Sequence, residues 1–529
     1  MLVTIPIKER LTIAWKKLDG NICYILFCMA LLPILFLRDF TPLNELRYLS
    51  IADEALRNHT FFTFTNHGEP YADKPPLYFW FVMLGKWLWG SHQMWFLSLA
   101  SLVPTIVIVR TMDKWTATEL DVKSRDTARI MLITCGLFAG LAVTLRMDML
   151  MCMFIVLALR SFYRMAVLPG VSKREAWLFP LYIFLALFSK GPVGLLVPLC
   201  STIVFLLWER KIRQWGKYWG WRTWRILLAG CLIWFCAVYI EGGKDYLDNL
   251  LFHQTVDRAV NSFHHKEPFW YYGGTVWYSI APWTLLIIGT IVTVIGKRLI
   301  STHLQRFLCS VVLATFVMLS CISSKIQIYL LPAFPFMVYL AAMYISRFKE
   351  KGWLNTLFAI SAVLFVLTLP IVVYLSSHED MRYLKNGLVY TAATVLALSG
   401  IVALWFCYRL MKDLYVGIRV LATGLLFAIF IGGWALPYIN PWIGYKALCQ
   451  KAQEIAREKK AKHIAVWRVA RAENMDTYLG TPIEIIKDND TEALRLSHGT
   501  VLMLRQRDLK EVEGKAHWIV GRFAVVLLE

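Results

Sequence analysis

The chain is a succession of apolar runs, most close to the ~20 residues that a membrane-crossing helix needs, and the basic residues between them gather on every second connection. Few folds remain open to such a sequence. Amides inside a bilayer must be satisfied within their own segment, so the runs are predicted as spanning helices. At 529 residues, with 58% hydrophobic and 17% charged content, the chain departs from soluble proteins, which are roughly 45–50% apolar and about 25% charged. The formal net charge of +20 is spread over short connections rather than over a polar domain. It marks orientation and argues against a nucleic-acid partner. Of the eleven cysteines, most lie inside apolar runs, and no CxxC pair points to zinc or redox chemistry.

The first run, Ile22 to Leu37, has no small-residue cleavage site after it and is read as a retained span. Lys8, Arg10, Lys16 and Lys17 before it place the N-terminus in the cytoplasm, which makes the loop after Arg38 external. Pro75 to Trp89 is too short to cross and carries Lys86, so an interfacial helix is expected there. Further spans are expected at roughly 93 to 109, 127 to 145, 149 to 167, 176 to 189, 191 to 208, 225 to 241, 272 to 296, 307 to 322, 327 to 346, 353 to 376, 386 to 407 and 416 to 437, about thirteen in all. With that count, Arg110/Lys114, Arg160/Arg164, Arg210 to Arg225, Lys297/Arg298, Arg347/Lys349 and Arg409/Lys412 all fall inside, and the C-terminal tail falls outside. The expected architecture is mainly α: a polytopic membrane domain over 1–440, with an external loop 38–92 bearing interfacial helices. A small external α/β domain over 441–529 follows, with a helix at Leu448 to Lys459 and strand-like stretches at His463 to Ala470, Thr500 to Leu504 and Trp518 to Leu528. A domain of that size holds a modest core and is expected to lean on the membrane part. No internal repeat is visible, which counts against an inverted-repeat transporter.

The opening external loop is unusually rich in charge: Asp39, Glu45, Arg47, Asp53, Glu54, Arg57, Asp73 and Lys74 lie beside the bilayer. A charged lipid head group is the expected partner. Other ionisable residues sit at external helix ends. Asp148 follows Arg146 in a tight turn, where an intramembrane charge marks a functional site unless the two simply pair and orient the turn. Lys190 precedes Gly191-Pro192, and Lys325 precedes Tyr329. Each is a phosphate ligand or an ordinary interfacial lysine.

The stretches Asn44-Glu45-Leu46-Arg47-Tyr48, Asp73-Lys74-Pro75-Pro76, Lys190-Gly191, Pro268-Phe269-Trp270-Tyr271-Tyr272 and Lys325 to Tyr329 occur in the order seen in bacterial aminoarabinose transferases of lipid A. With the protein O-mannosyltransferases, these belong to the integral-membrane GT-C glycosyltransferases. The resemblance covers roughly residues 20 to 345. It implies transfer of a sugar from a polyprenyl-phosphate carrier to lipid A or a related envelope glycolipid, on the periplasmic side of an inner membrane. Where the family pattern has the aspartate regarded as catalytic, this chain has Asn44, and an amide cannot act as a base.

Under that reading the acceptor oxygen needs activation and the departing phosphate needs cations. Glu45 is the expected acceptor-activating carboxylate, or else a loop acid paired with Arg47; Asn44, Asp73 and Asp148 complete the catalytic set. Lys74, Arg47, Lys190, Lys325 and Tyr329 are assigned to the donor phosphate. The resemblance would bring His265 near Asp73, where a divalent metal ion is conceivable; a histidine-rich polar loop holding His253, His264 and His265 without metal is the plainer reading. The expected partners are the polyprenyl-linked donor, the lipid acceptor and membrane lipids. A protein O-mannosyltransferase-like enzyme with a Ser or Thr acceptor is the alternative, and a lipid-linked sugar flippase the alternative from another class. A flippase is expected to place its charges at the bilayer midplane, whereas here they gather at helix ends.

Overall fold

A computed structural model describes residues 20–170, 173–251, 266–348, 352–410, 413–461, 463–487, 499–512 and 516–528. Every expected apolar run is helical within them. Eight helices are long and apolar enough to cross a membrane, and Ile22–Leu37, Val193–Trp208 and Thr284–Gly296 are shorter apolar helices. The protein is membrane-embedded and multi-pass. The run expected at 127 to 145 is broken into Val122–Ile133 and Gly136–Leu141. That at 272 to 296 is broken into Tyr271–Ser279 and Thr284–Gly296 around Pro282, which offers no amide to continue a helix. One continuous apolar core joins these helices, running from Phe27 and Leu31 through Ile155 and Phe162 to Phe336 and Tyr339.

Between the first two long helices the chain forms two short helices rather than an open loop. Glu45–Asn58 buries Leu46, Tyr48, Leu49, Ala52 and Ala55. Leu77–Trp89, at the expected interfacial position, buries Tyr78, Phe79, Val82 and Met83 and leaves Trp87 exposed. A two-strand hairpin, β1 (Thr65–Asn66) and β2 (Glu69–Pro70), lies between them. Positive φ at His67 and Gly68 gives it the twist a tight hairpin turn requires.

The C-terminal region is the expected α/β unit, with five strands where three strand-like stretches were expected. Helix Lys446–Glu458 turns Leu448, Cys449, Ala452 and Ile455 onto a five-stranded sheet. The strands are β3 (His463–Trp467), β4 (Glu484–Ile486), β5 (Thr500–Arg505), β6 (Ala516–Val520) and β7 (Phe523–Leu528), in the order β4-β3-β5-β7-β6. β3 is parallel to both neighbours, and the other pairings are antiparallel. The Trp518 to Leu528 stretch is therefore a hairpin and not a single strand. The unit packs on the loop helix Glu45–Asn58, sharing a core of Leu46, Leu49, Tyr445, Leu448, Met475 and Phe523.

Candidate active site at one end of the helices

The end of the first helix fixes the loop helix. Arg38 donates from Nη1 to Glu45 Oε2 (2.7 Å) and from Nη2 to Oε1 (2.8 Å), and also reaches the Val143 carbonyl (3.1 Å). Glu45 further accepts the backbone N–H of Thr41 (2.7 Å) and of Leu145 (2.8 Å). With two donors on each oxygen and 0% exposure, its lone pairs are all used. This corrects one expectation: Glu45 pairs with Arg38 rather than Arg47, and it joins three segments of chain.

Most of the other loop acids are likewise partnered by protein and not left for a head group. Asp39 accepts the backbone N–H of Phe40 (2.8 Å) and Lys446 (3.0 Å) and the hydroxyl of Tyr478. Asp53 lies 2.7 Å from both Lys86 Nζ and His92 Nε2. Glu54 accepts the Thr65 hydroxyl (2.5 Å) and the N–H groups of His67 (2.7 Å) and Gly68 (2.9 Å), closing the hairpin. Glu241, at the far end of helix Trp221–Asp248, accepts the backbone N–H groups of Phe61, Phe62 and Thr63 and the Thr63 hydroxyl at 2.6–3.0 Å. Tyr246, beyond a break in that helix at Gly243 (φ +72°), donates to the Tyr71 carbonyl (2.9 Å). The strand leading to Asp73 and Lys74 is therefore held from both sides.

The remaining charged residues face one another. Arg47 donates to Asn44 Oδ1 (3.2 Å), its guanidinium carbon lies 5.7 Å from the Tyr48 ring centre and 5.6 Å from that of Tyr71, and its Nε is buried without a partner. Asp73 accepts from Tyr71 (3.3 Å) and from Lys74 (3.1 Å). Burial, then the Asp73 carboxylate, pushes the Tyr71 phenol well above its usual pKa, so it stays a donor. Asp148, 0% exposed, accepts from Arg146 Nε (3.1 Å) on one oxygen and from Lys190 on the other. The Lys190 ammonium lies 4.4 Å from the Tyr329 ring centre and within electrostatic reach of Lys74. Tyr48 sits among the charges of Arg146, Arg47, Asp148 and Asp73. Lys325, 4% exposed, donates to the Glu267 carbonyl (2.8 Å), and the neighbouring Ile326 carbonyl accepts from Tyr272 (3.4 Å), which brings in the aromatic Pro268 to Tyr272 stretch.

The structure thus brings Asn44, Arg47, Asp73, Lys74, Asp148, Lys190 and Tyr329 to one place, withdraws Glu45 into the scaffold, and puts Lys325 in a backbone tie. Sequence reasoning passed over Arg38, Tyr48 and Tyr71. Arg38 reads as an ordinary basic flank of a span, Tyr48 stands in the Asn44 to Tyr48 motif without a role assigned to it, and Tyr71 had only its nearness to Asp73 to mark it. His253, Asp257, Arg258, His264 and His265 lie outside the described residues, and among the described residues no cluster of three His, Cys, Asp or Glu side chains could hold a metal ion. Chemically, the arrangement is a cation-rich cluster: Arg47, Lys74, Arg146 and Lys190 outnumber Asp73 and Asp148. It suits an anionic oxygen cluster.

The chain has the fold of ArnT from Cupriavidus metallidurans. It matches the crystal structure of ArnT bound to undecaprenyl phosphate with a TM-score of 0.75 over 97% of this chain and 98% of that one, at 18% identity. The apo structure matches with a TM-score of 0.74 over 98% of each chain, also at 18% identity. Among curated proteins, the undecaprenyl phosphate-alpha-4-amino-4-deoxy-L-arabinose arabinosyl transferase of Shewanella sediminis is 24% identical over 62% of this chain. The protein of the same name from Aeromonas salmonicida is 26% identical over 77% of this chain and 76% of its own length. The chain spans about 60% of the length of the Shewanella relative and of its Erwinia tasmaniensis counterpart. No protein-family model matches.

Proposed function

We propose that this protein is a membrane glycosyltransferase that moves a sugar from undecaprenyl phosphate, or a similar polyprenyl phosphate, to lipid A or a related envelope glycolipid. By the names of its relatives, 4-amino-4-deoxy-L-arabinose is the first sugar to try. The site end of the helices faces the periplasm, with the N-terminus on the cytoplasmic side and the C-terminal unit on the site side. The observation that carries this reading is the excess of cations over carboxylates at the helix ends, in a fold shared with a protein bound to undecaprenyl phosphate.

In the reaction the acceptor oxygen attacks the anomeric carbon, a hydroxyl acceptor giving its proton to Asp73, while the bond from that carbon to the phosphate oxygen breaks and its electron pair leaves with the phosphate. Lys74, Arg47 and Lys190 neutralise the departing group in a setting of low dielectric. Asp148 keeps Arg146 and Lys190 in place, and so acts through them. Asp73, with 15% of its side chain exposed, takes over from Glu45 as the carboxylate nearest the acceptor, steadied by Tyr71 and Lys74. Asn44 holds Arg47 by its carbonyl oxygen and takes no proton.

Purified protein in proteoliposomes, given radiolabelled undecaprenyl-phosphate sugar and lipid A, is expected to release free undecaprenyl phosphate and label the acceptor. Movement of intact donor across the bilayer without release would instead make the protein a flippase. Labelling of a Ser/Thr peptide in preference to lipid A would assign the other acceptor class.

A further inference from the structure

We propose that Lys446, Arg471, Arg505 and Arg522 form a docking surface for the phosphate headgroups of anionic phospholipids, on which the C-terminal unit rests. Arg505 and Arg522 flank one buried side chain, Tyr445, and Lys446 and Arg471 are chain neighbours of Tyr445 and of its partner Ala470. Tyr445 donates to the Ala470 carbonyl (2.6 Å), next to Arg471, and its ring centre lies 5.5 Å from that of Phe523. The guanidinium of Arg522 lies 5.0 Å from the Phe523 ring centre, and Arg505 is the strand partner of Phe523 across β5 and β7. The Tyr445 hydroxyl feels the charges of Arg522 and Arg505, and less strongly that of Glu473. Lys446, Arg471 and Arg522 are exposed and Arg505 is half-buried. Arg471 lies 3.6 Å from Glu473, whereas among the described residues Lys446, Arg505 and Arg522 form no ion pair. Catalytic chemistry as derived above uses none of them.

The height of this surface is set by two close approaches. Gly444 lies so close to Asp39, the residue after Arg38 at the end of the first helix, that a Cβ there would come within 2.1 Å of the Asp39 carboxylate. Gly521, with φ of +58° at the β6–β7 turn, likewise abuts the Pro441 carbonyl in the short helix Leu436–Ile443, which follows the helix Leu414–Gly433. The backbone next to Lys446 and Arg522 therefore abuts the end of the bundle. Beside them Trp434, Tyr438 and Ile443 are exposed, in the manner of an interfacial aromatic belt. Guanidinium groups held at that depth match phosphate by geometry as well as by charge. The same unit grips the loop helix through Tyr478 to Asp39 and through Ser50, which donates to Asp476 (3.0 Å). Lipid docking thus steadies the segment that carries Arg47 and Tyr48.

The test is lipid retention by the full-length protein, read by native mass spectrometry after extraction from nanodiscs of phosphatidylcholine mixed with phosphatidylglycerol. It does not depend on the proposed reaction. Wild type is expected to retain phosphatidylglycerol preferentially, and the double variant R505Q/R522Q to lose that preference by roughly fivefold per cation removed. Melting in pure phosphatidylcholine serves as the check on folding. Should the double variant misfold, the wild type is washed in about 1 M salt, which is expected to strip phosphatidylglycerol selectively. Equal retention of the two lipids by wild type, retention by a folded double variant that matches wild type, or a salt-insensitive preference each overturns the proposal. So does retention of added lipid A with no preference for phosphatidylglycerol.

Discussion

The two ends of the helix bundle carry similar residues in opposite states. Arg38 and Tyr24 lie near opposite ends of the first helix, Met94 and Asp113 near opposite ends of the next long one, ~28 Å apart at the helical rise. At the Asp113 end, that carboxylate accepts from Arg129 Nε (2.6 Å), Tyr24 (2.8 Å) and Tyr339, while Asp126 accepts from Arg129 Nη1 (3.0 Å) and faces Arg419 at 3.6 Å. Five helices are joined there, with cations and carboxylates evenly matched. At the Arg38 end the scaffold acid Glu45 is just as closed, but beyond it Arg47, Lys74, Arg146 and Lys190 exceed their carboxylates. Charge near a bilayer is thus poor evidence of chemistry by itself. What separates a fastener from a site is whether the partners already saturate the group.

The contrast can be broken by substitution. Asp113→Asn is expected to destabilise by about 3–5 kcal/mol, as when a buried ion loses its partner, while turnover per folded molecule holds; thermal melting and a turnover assay report the two. Glu45→Gln belongs with it despite lying at the active end, and a loss of turnover in folded protein would return Glu45 to the chemistry. Lys74→Ala is expected to do the reverse, lowering turnover on the order of a hundredfold with the melting temperature kept; near-normal turnover would remove its phosphate role. Asn44→Asp sharpens the comparison at a smaller scale. It keeps an oxygen acceptor for Arg47, so turnover is expected to change less than about tenfold, and a larger rise would mean that a base is wanted at that position.

The smallest effect is one of pH. Burial alone would raise the Asp53 carboxyl, but His92 and Lys86 hold it below its ordinary value. Its contribution to stability is therefore present above about pH 4 and is lost as pH falls through the lower folded value. The melting-temperature gap between wild type and Asp53→Asn is expected to narrow from about pH 6 to about pH 3. A gap that widens on acidification would contradict the assignment.

Much of this architecture is legible in the sequence because a membrane helix announces itself by local composition, so every expected run is a helix. Breaks within runs, as at Thr134-Cys135, are set by neighbouring helices and leave little local trace. Four of the five ordered motifs carry a charged residue, and residues from those four, Arg47, Lys74, Lys190 and Tyr329, lie together. Their division of labour was not legible. Glu45 and Asp73 look alike as loop acids, and only the approach of Arg38 and of the Leu145 amide, a hundred residues along the chain, tells them apart. Strand β4 was missed because Glu484–Ile486 is too short to show an alternating pattern, and the β6–β7 turn because the apolar residues run on past Gly521.

Helix Trp221–Asp248 has one more consequence. Little of its apolar stretch is covered by protein, so hydrocarbon tails surround most of it, yet its Glu241 clasps the Phe61 to Thr63 turn and its Tyr246 clasps the backbone at Tyr71. Glu241 lies before the break at Gly243 (φ +72°) and Tyr246 after it, so the backbone from Phe61 to Tyr71 is tied to both pieces of this helix and links them where the helical ladder is interrupted.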